Sequence, residues 1–372
     1  MKLENRIKRY QAIEQRRGRP LVVYATSTRQ NVGGYMASDA IREFIDQMDS
    51  IPPDHKAIDV LIHSTGGDAL TAWKVMALLR GRFDQVGVLV PFSAFSAATI
   101  LALGADEIVM HPHASLGPID PQIQATMGNG KPIQFAYEDV GAFLRFVSEE
   151  VGLTEQVYVT GIIDKLFATV NPLHIGAAKR ASDLSTDVGA RLLAMHMTSP
   201  EDKRQAREVA ENLNKSFFSH SDAISRSRAR ELRLRIANDD VELERQLWEA
   251  FLGLESYLEL RKPFFPLEHF LHDPSAAKSI EPPPLVQLPA NAPNEIARQV
   301  WEHVAKGAVQ SLAPAKEVPF SHINAVIESP RAASEYRSEG VISAVRLGLN
   351  LQVSVTPRQA GWQSILGQGC SA

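Results

Sequence analysis

The sequence predicts an α/β protein, because short apolar segments typical of buried strands alternate with segments of helical periodicity. The strand segments are residues 21–25, 58–62, 86–90 and 108–110. Between them, residues 38–49, 69–79 and 94–103 have the apolar spacing of helices about ten residues long. Parallel strands need helical crossovers, so this alternation indicates a parallel sheet that helices cover on both faces.

The composition is that of a globular chain long enough for one large domain with an appendage, or for two domains. Its 372 residues are 44% hydrophobic and 22% charged, with a formal net charge of −4. This composition excludes a collagen-like or disordered chain. The small net charge produces no overall electrostatic field that would attract nucleic acid. The single cysteine, Cys370, excludes an internal disulfide. We therefore expect a cytoplasmic protein without a nucleic-acid partner, and we leave peripheral membrane contact open.

Residues 86–105 contain no charged side chain, and about 20 uncharged residues are the length that spans a bilayer. Pro91 interrupts this run, and Ser93 and Ser96 place hydroxyl groups in its middle. We therefore predict a buried strand and then a buried helix, with no transmembrane segment. Residues 1–20 lack the apolar core of a signal peptide and are interpreted as an amphipathic helix of the mature protein.

Three regions follow one another along the chain. Residues 1–265 are predicted to form the main domain, in which residues 138–196 and 225–259 are mostly helical. Residues 266–294 are rich in proline, which predicts an extended linker. Residues 295–372 are predicted to form a small C-terminal α+β appendage of unknown role.

A turn with two glycines, Gly66 and Gly67, follows the second predicted strand and precedes a helix. Paired glycines let the backbone approach a ligand and leave helix N-terminal N–H groups available to an oxyanion or a phosphate. A turn that requires a positive φ angle explains the same two residues. The turn by itself therefore does not establish a function.

A second turn follows the third predicted strand and contains Ser96 among small residues at the start of a helix. A serine hydroxyl beside unpaired backbone donors is well placed to attack a carbonyl carbon. The alternative is that Ser93 or Ser96 caps the helix, and the local sequence alone favours that role.

The succession of these segments resembles the Clp protease/crotonase superfold, and within it the serine dehydrogenase proteinase family and signal peptide peptidase A. The resemblance rests on Ser64-x-Gly66-Gly67, on Ser96-Ala97-Ala98, on ADEIVMHP at residues 105–112 and on SLGPIDPQ at residues 115–122. The resemblance is strongest over residues 21–124 and becomes weaker from there to Trp248. The resemblance implies a Clp protease/crotonase-like ββα superhelical core and assembly as a homo-oligomer.

The resemblance also implies roles for single residues. Ser96 matches the nucleophile, and the backbone N–H groups of Gly67 and Ala97 match the oxyanion hole. Gly66 shapes the turn beside the substrate. Asp120 is assigned to binding the substrate backbone or orienting the base, and capping a turn between two prolines is its alternative.

A serine nucleophile needs a base, and the family comparison offers two kinds. Clp-type peptidases use a histidine after the fourth strand, but residues 118–121 contain none. His63 borders the glycine turn, and we interpret it as structural, with contact to a substrate as the alternative. We interpret His111 and His113, which precede residues 118–121, as surface or supporting residues.

Signal peptide peptidase A and its relatives use a lysine that burial keeps neutral. Lys179, among small residues at a predicted helix start, is our first candidate for this base, and Lys165, with apolar neighbours, is the second. Lys131 lies in a Gly-Asn-Gly-Lys-Pro loop, which predicts a solvated side chain.

The leading hypothesis is a serine peptidase that hydrolyses peptide or protein substrates through a Ser96–Lys179 dyad and an acyl-enzyme. No P-loop and no zinc-type spacing of histidines or cysteines is present, so we expect no cofactor and no metal. Two alternatives stay open. One is a crotonase-like enzyme that acts on an acyl thioester with the same oxyanion hole, and the other is a non-catalytic scaffold on this fold.

Overall fold

The structure is a computed structural model that describes residues 1–127, 129–215, 219, 222–281, 293–310, 316–347 and 350–366. The strands, in chain order, are β1 (Leu21–Thr26), β2 (Thr28–Arg29), β3 (Val32–Gly33), β4 (Ala57–His63), β5 (Gln85–Val90), β6 (Ser93–Ala94), β7 (Glu107–Met110), β8 (Ser115–Leu116), β9 (Ile123–Thr126), β10 (Pro132–Phe135), β11 (Ile224–Ser225), β12 (Glu317–Glu328), β13 (Ala333–Leu347) and β14 (Asn350–Leu366).

The α-helices are α1 (Leu3–Arg17), α2 (Ala40–Asp49), α3 (Ala69–Arg82), α4 (Ala97–Leu103), α5 (Tyr137–Arg145), α6 (Gln156–Thr169), α7 (Pro172–Leu193), α8 (Pro200–Lys215), α9 (Arg226–Glu231), α10 (Val241–Tyr257), α11 (Pro266–Leu271), α12 (Pro274–Ser279) and α13 (Asn294–Gln310). A π-helical segment, Phe146–Glu150, continues α5. The amphipathic N-terminal helix and the mostly helical stretch after residue 137 are therefore confirmed.

A seven-stranded sheet with the order β14-β13-β12-β1-β4-β5-β7 is the centre of the fold. Strands β1, β4, β5 and β7 are parallel to one another. Strand β12 is antiparallel to β1, and β13 and β14 continue the sheet in antiparallel pairs. The predicted α/β class and the parallel sheet are confirmed, and the sheet as a whole is mixed.

Two hydrophobic cores lie on opposite faces of the parallel strands. Val60 and Val88 belong to the core that includes residues of α2, α3, α4 and α7. Leu61 and Leu89 belong to the core on the other face, which α1 and α10 cover. Because neighbouring residues of β4 and β5 are buried on opposite sides, apolar residues follow one another in these strands instead of alternating with polar ones. Asp59, inside β4, is an exception, and its buried carboxylate pairs with Arg17.

The uncharged run over residues 86–105 consists of most of β5, the short strand β6 and the helix α4. Every residue of α4 is buried, which explains why the segment carries no charge. Within the described ranges, no helix combines the length and the apolar character needed to cross a bilayer.

The C-terminal strands differ from the predicted appendage. Strand β12 pairs with β1, with Val23 opposite Glu328, so β12, β13 and β14 extend the central sheet. The physical reason is that β1 would otherwise be an open edge with unpaired backbone groups.

The predicted extended linker also differs from the structure over residues 266–279, which form α11 and α12. Phe270 and Ala276 are buried against Val318 and Ile342 of the last strands, so this segment is packed. The proline-rich residues 282–292 lie outside the described part of the chain.

A buried polar cluster ties α1 to β12. The Arg6 guanidinium donates to both carboxylate oxygens of Glu328, over 2.9 and 2.5 Å, and the Tyr10 hydroxyl donates to the same carboxylate over 2.8 Å. Arg6, Tyr10 and Glu328 are fully buried. Burial first, and the Glu328 charge second, raise the pKa of Tyr10 well above its usual value. Two segments that are far apart in the sequence are thereby held together.

Candidate active site

The candidate site lies at the carboxyl ends of β4 and β5. The glycine turn follows β4, and the segment that carries Ser96 follows β5 through β6. The Ser64 N–H donates to the Ser93 carbonyl over 3.0 Å, and the Phe95 N–H donates to the Ser64 carbonyl over 3.0 Å. These two hydrogen bonds hold the glycine turn directly against the chain that leads to Ser96.

Ser96 has a backbone conformation that few non-glycine residues adopt, with φ 51° and ψ −118°. It directly precedes α4, yet its side chain makes no capping hydrogen bond, and the residue is half-buried. Strained backbone of this kind costs about 1–3 kcal/mol and is concentrated at functional sites. The capping role that the local sequence favours is therefore not the one seen for Ser96, and its hydroxyl is available for chemistry.

Gly66 makes the close approach between the two turns sterically feasible. Its φ is +106°, and a Cβ added there would lie 2.6 Å from the Phe95 carbonyl oxygen, 2.6 Å from Ser96 Cβ and 2.9 Å from the Ala97 nitrogen. Gly67 has a φ of +148°, and a Cβ there would lie 2.6 Å from the Met36 nitrogen. The glycine pair is thus required both by conformation and by contact with neighbouring backbone.

The backbone N–H groups of Gly67 and Ala97 are the two predicted oxyanion donors. Ala97 is the first residue of α4, so its N–H has no acceptor within the helix. Over the part of the chain that the structure describes, neither N–H has a protein hydrogen-bond acceptor. Such donors stabilise charge that develops on a carbonyl oxygen during acyl transfer.

Two supporting hydroxyl groups were not assigned from the sequence. Ser64 Oγ accepts the Gly66 N–H over 3.0 Å and the Thr26 hydroxyl over 2.8 Å, which fixes the glycine turn. Thr99 Oγ1 donates to the Ala94 carbonyl over 2.7 Å and accepts the Gly117 N–H over 3.0 Å. The signal that could have identified Thr99 is its position as the one polar side chain in an otherwise apolar helix.

Lys179, the first candidate for the base, lies on α7 with its side chain 45% exposed. Its Nζ donates to both carboxylate oxygens of Asp183 over 2.5 Å and lies 5.4 Å from the centre of the Tyr137 ring. The structure therefore does not bring Lys179 to the Ser96 hydroxyl.

Lys165 and Lys131, the other lysines considered, are both exposed. Lys165 lies on α6, and Lys131 lies in the turn between β9 and β10, where its carbonyl accepts the Met127 N–H over 2.8 Å. Among the described residues, no lysine or histidine side chain hydrogen-bonds to Ser96 Oγ.

Asp120 is half-buried beside the turn that follows β8. Its carboxylate accepts a hydrogen bond from Gln122 Nε2 over 2.9 Å. The neighbouring Ile119 N–H donates to the Leu213 carbonyl over 3.0 Å, which fixes this segment against α8. The predicted role of Asp120 toward a substrate stays a prediction.

His63 is enclosed at the base of the site. Its Nδ1 lies 3.0 Å from Ser93 Oγ, and its ring packs edge-on against Phe251 with the ring centres 5.0 Å apart. Burial lowers the pKa of His63 to about 4, so the ring is neutral near pH 7. Only 1% of the surface of His63 is exposed. This burial agrees with the structural role that we predicted for it from the sequence.

His111 and His113 belong to an aromatic group at the end of β7. The His111 ring stacks on Trp248 with the ring centres 5.1 Å apart and an interplanar angle of 15°. Its Nδ1 accepts the His113 N–H over 3.1 Å. These contacts agree with supporting roles. The described residues contain no group of three or more histidine, cysteine, aspartate or glutamate side chains that could hold a metal.

Comparison with protein families gives a match over residues 2–133, to the family described as ClpP-like SDH-type serine proteinase. This match confirms the resemblance predicted from the sequence and contains Ser96 together with both glycines. Two uncharacterized proteins of Methanocaldococcus jannaschii are similar as well. MJ0137 is 42% identical over 71 residues, and MJ1495 is 38% identical over 73 residues. These segments cover 19% and 20% of this chain, and the chain spans 25% of the length of each relative.

Two solved structures are also similar at low sequence identity. The 1510-N membrane-bound stomatin-specific protease is 16% identical with a TM-score of 0.36, over 61% of this chain and 84% of that protein. ClpP1 from Listeria monocytogenes is 13% identical with a TM-score of 0.33, over 63% of this chain and 97% of that protein.

Proposed function

We propose that this chain is a serine peptidase in which Ser96 is the nucleophile. The observation that carries the proposal is the strained, uncapped Ser96 at the start of α4, with Gly66 packed directly against it. The family match over residues 2–133 supports the same reaction class. Peptides or proteins are the proposed substrates, and a cytoplasmic homo-oligomer is the proposed form.

In the proposed reaction, Ser96 Oγ attacks the carbonyl carbon of a peptide bond while a base removes its proton. The N–H groups of Gly67 and Ala97 stabilise the oxyanion of the tetrahedral intermediate. The base then gives the proton to the leaving amine, and the carbon–nitrogen bond breaks to leave an acyl-enzyme. Water hydrolyses this ester, with the same base accepting and returning a proton.

Lys179 is retained as the proposed base, with Lys165 as the second choice. Lys179 has to change its position to act as the base, because its Nζ is paired with Asp183. Its Nζ has to leave the carboxylate, lose its proton and reach Ser96 Oγ. Lys179 lies on α7, whose later residues Val188 and Leu192 share the core of α4. Asp120 is proposed to bind the substrate backbone from the neighbouring turn.

Labelling with a fluorophosphonate probe tests the nucleophile, because the probe reacts with activated serines. We expect labelling and peptide hydrolysis in the wild-type chain, and loss of both in Ser96→Ala. The exposed Ser148→Ala is the matched control and is expected to keep both, since Ser148 contacts only backbone carbonyls of its own helix. Unchanged hydrolysis by Ser96→Ala would refute the proposal.

A separate pair of variants tests the base. Lys179→Ala is expected to abolish labelling without loss of folding, whereas Asp183→Ala, which frees the ammonium, is expected to preserve or increase it. If Lys179→Ala keeps full activity, Lys165 becomes the proposed base.

One observation favours a second candidate, a non-catalytic scaffold on this fold. It is that no basic side chain among the described residues hydrogen-bonds to Ser96 Oγ. The scaffold predicts no fluorophosphonate labelling of the wild-type chain at any pH, together with an intact fold. The crotonase-like alternative gains no comparable support from the site.

A further inference from the structure

Strand β14 is the last strand on one side of the central sheet, and its neighbour is β13. It is 17 residues long, and residues 352–360 are all exposed. The opposite edge of the sheet is protected. There the Ile108 N–H donates to the Arg235 carbonyl over 2.8 Å, and the Ala237 N–H donates to the Ile108 carbonyl over 2.9 Å. In the described part of the sheet, β14 is therefore the open edge.

Proteins usually protect an open edge with charged residues, prolines or very short strands. Residues 350–356, Asn-Leu-Gln-Val-Ser-Val-Thr, contain neither a charge nor a proline. Pro357 and Arg358 follow immediately and would end any pairing on that side. Before this break, the part of the edge without charge or proline is a segment of seven residues. A second uncharged segment, residues 359–366, follows Arg358, and there Trp362 Nε1 donates to Asp39 over 3.0 Å.

This seven-residue segment is complementary to itself in an antiparallel pair. If Val353 lies opposite its own copy, Leu351 lies opposite Val355 of the partner copy. On the other face, Gln352 lies opposite Ser354 of the partner copy. Apolar side chains then meet only apolar ones and polar side chains only polar ones, which is the pairing that stabilises a sheet.

The apolar row on this strand is continuous with a buried cluster. Leu351 packs on the cluster that includes Ile342 and Ala344, whereas Val353 and Val355, further along the same face, are 37% and 45% exposed. A second strand at this edge would cover the two valines and extend the cluster across the junction.

We propose that a second copy of this chain pairs with this edge through residues 350–356, antiparallel and centred on Val353. The two central sheets then become one continuous sheet related by a two-fold axis. Because the interface uses the same strand in both copies and the other edge is covered, the assembly closes as a dimer instead of growing into a fibre. The inference does not depend on the peptidase activity.

Cysteine cross-linking of the full-length chain tests the register, in a Cys370→Ser background so that only the introduced thiol reacts. A residue on the two-fold axis lies opposite itself, at a Cα separation of about 4.5–5.5 Å that a disulfide can span. Val353→Cys is therefore expected to give a covalent dimer on oxidation. Gln352→Cys is the matched control, because its opposite residue is Ser354 of the partner copy, and it is expected to stay largely uncross-linked.

Light scattering of the same chain tests the assembly itself. Val353→Lys places two like charges opposite each other across the proposed pair. It is expected to halve the measured mass, whether the wild-type chain is a dimer or a larger assembly built from such dimers. The circular dichroism spectrum is expected to stay unchanged. The proposal is overturned by a monomeric wild-type chain, by an unchanged mass in Val353→Lys, or by equal cross-linking of Val353→Cys and Gln352→Cys. A monomer that instead binds an extended peptide at this edge also overturns it.

Discussion

Replacing Gly66 by alanine tests the reasoning about the site most directly. The added Cβ would lie 2.6 Å from both the Phe95 carbonyl oxygen and Ser96 Cβ, and neither is the end of a flexible side chain. The positive φ of +106° adds a conformational cost of about 1–3 kcal/mol for a residue with a side chain. We therefore expect Gly66→Ala to lower the free energy of unfolding by at least that amount.

The effect on activity follows from the same contact. Relief of the clash has to move Ser96 or the Ala97 nitrogen, which is 2.9 Å from the added Cβ. Loss of one oxyanion donor lowers kcat by about 10²–10³-fold, and a displacement of about 1 Å in a catalytic group has an effect of similar size. We expect kcat to fall by about 10²–10³-fold at a temperature where the variant is fully folded.

Urea unfolding and the initial rate of peptide hydrolysis measure the two effects separately. Gly176→Ala is the control, because Gly176 is within α7 and its added Cβ would meet no atom within 4 Å. That variant is expected to gain about 0.5–1 kcal/mol from helix propensity and to keep its activity. The steric account of the site fails if Gly66→Ala has wild-type stability and wild-type kcat.

Three further predictions concern the ion pair that joins α1 to β12 and two buried residues at the site. Arg6→Met leaves the buried Glu328 carboxylate without its cation and is expected to cost about 3–5 kcal/mol of unfolding free energy in urea, and adding Glu328→Gln should recover much of it. The buried His63 has a pKa of about 4, whereas the unfolded chain takes up that proton near pH 6.5. The wild type should therefore lose about 3 kcal/mol relative to His63→Asn as the pH falls from 6.5 to 4, with equal pH profiles of unfolding contradicting this. Ser64→Ala leaves the buried Gly66 N–H without its acceptor, so it should cost about 1–3 kcal/mol and reduce kcat, and an unchanged melting temperature would contradict it.

Local sequence patterns were sufficient for the elements that surround the site. The predicted strand 58–62 is observed as Ala57–His63, and the predicted strand 86–90 is observed as Gln85–Val90. Both are buried on two faces, so apolar β-branched residues mark them strongly. The two turns were predicted for the same reason, since glycine pairs and a serine directly after such strands are local signals.

The pairing of β12 with β1 could not be predicted in the same way. An alternating or apolar pattern identifies a strand but not its neighbour, because pairing depends on residues that are distant in the sequence. The same limit applies to α11, where the proline at residue 266 suggested an extended chain although proline also fits the first turn of a helix.

The side chain of Lys179 illustrates a third kind of limit. Its position in α7 was predicted from small neighbours, but whether the side chain points to the core depends on how the whole helix is rotated. Ala178 and Ser182 face the core, and Lys179 lies beside that face with Asp183 one turn further on. A lysine and an aspartate four residues apart can form an ion pair on the helix surface. The local sequence contains this pair but does not show that it forms.

The pairing of Arg6 with Glu328 joins residues 322 positions apart, which has a consequence for how the protein is made. A chain emerging from the ribosome exposes the edge of β1 and an uncompensated Arg6 until β12 has been synthesised. Because β12 is the segment that covers both, a strand translated long after α1 and β1 completes the part of the fold that contains them. A prematurely terminated product therefore carries an open sheet edge and a buried charge without its partner, two features that distinguish it from the finished protein.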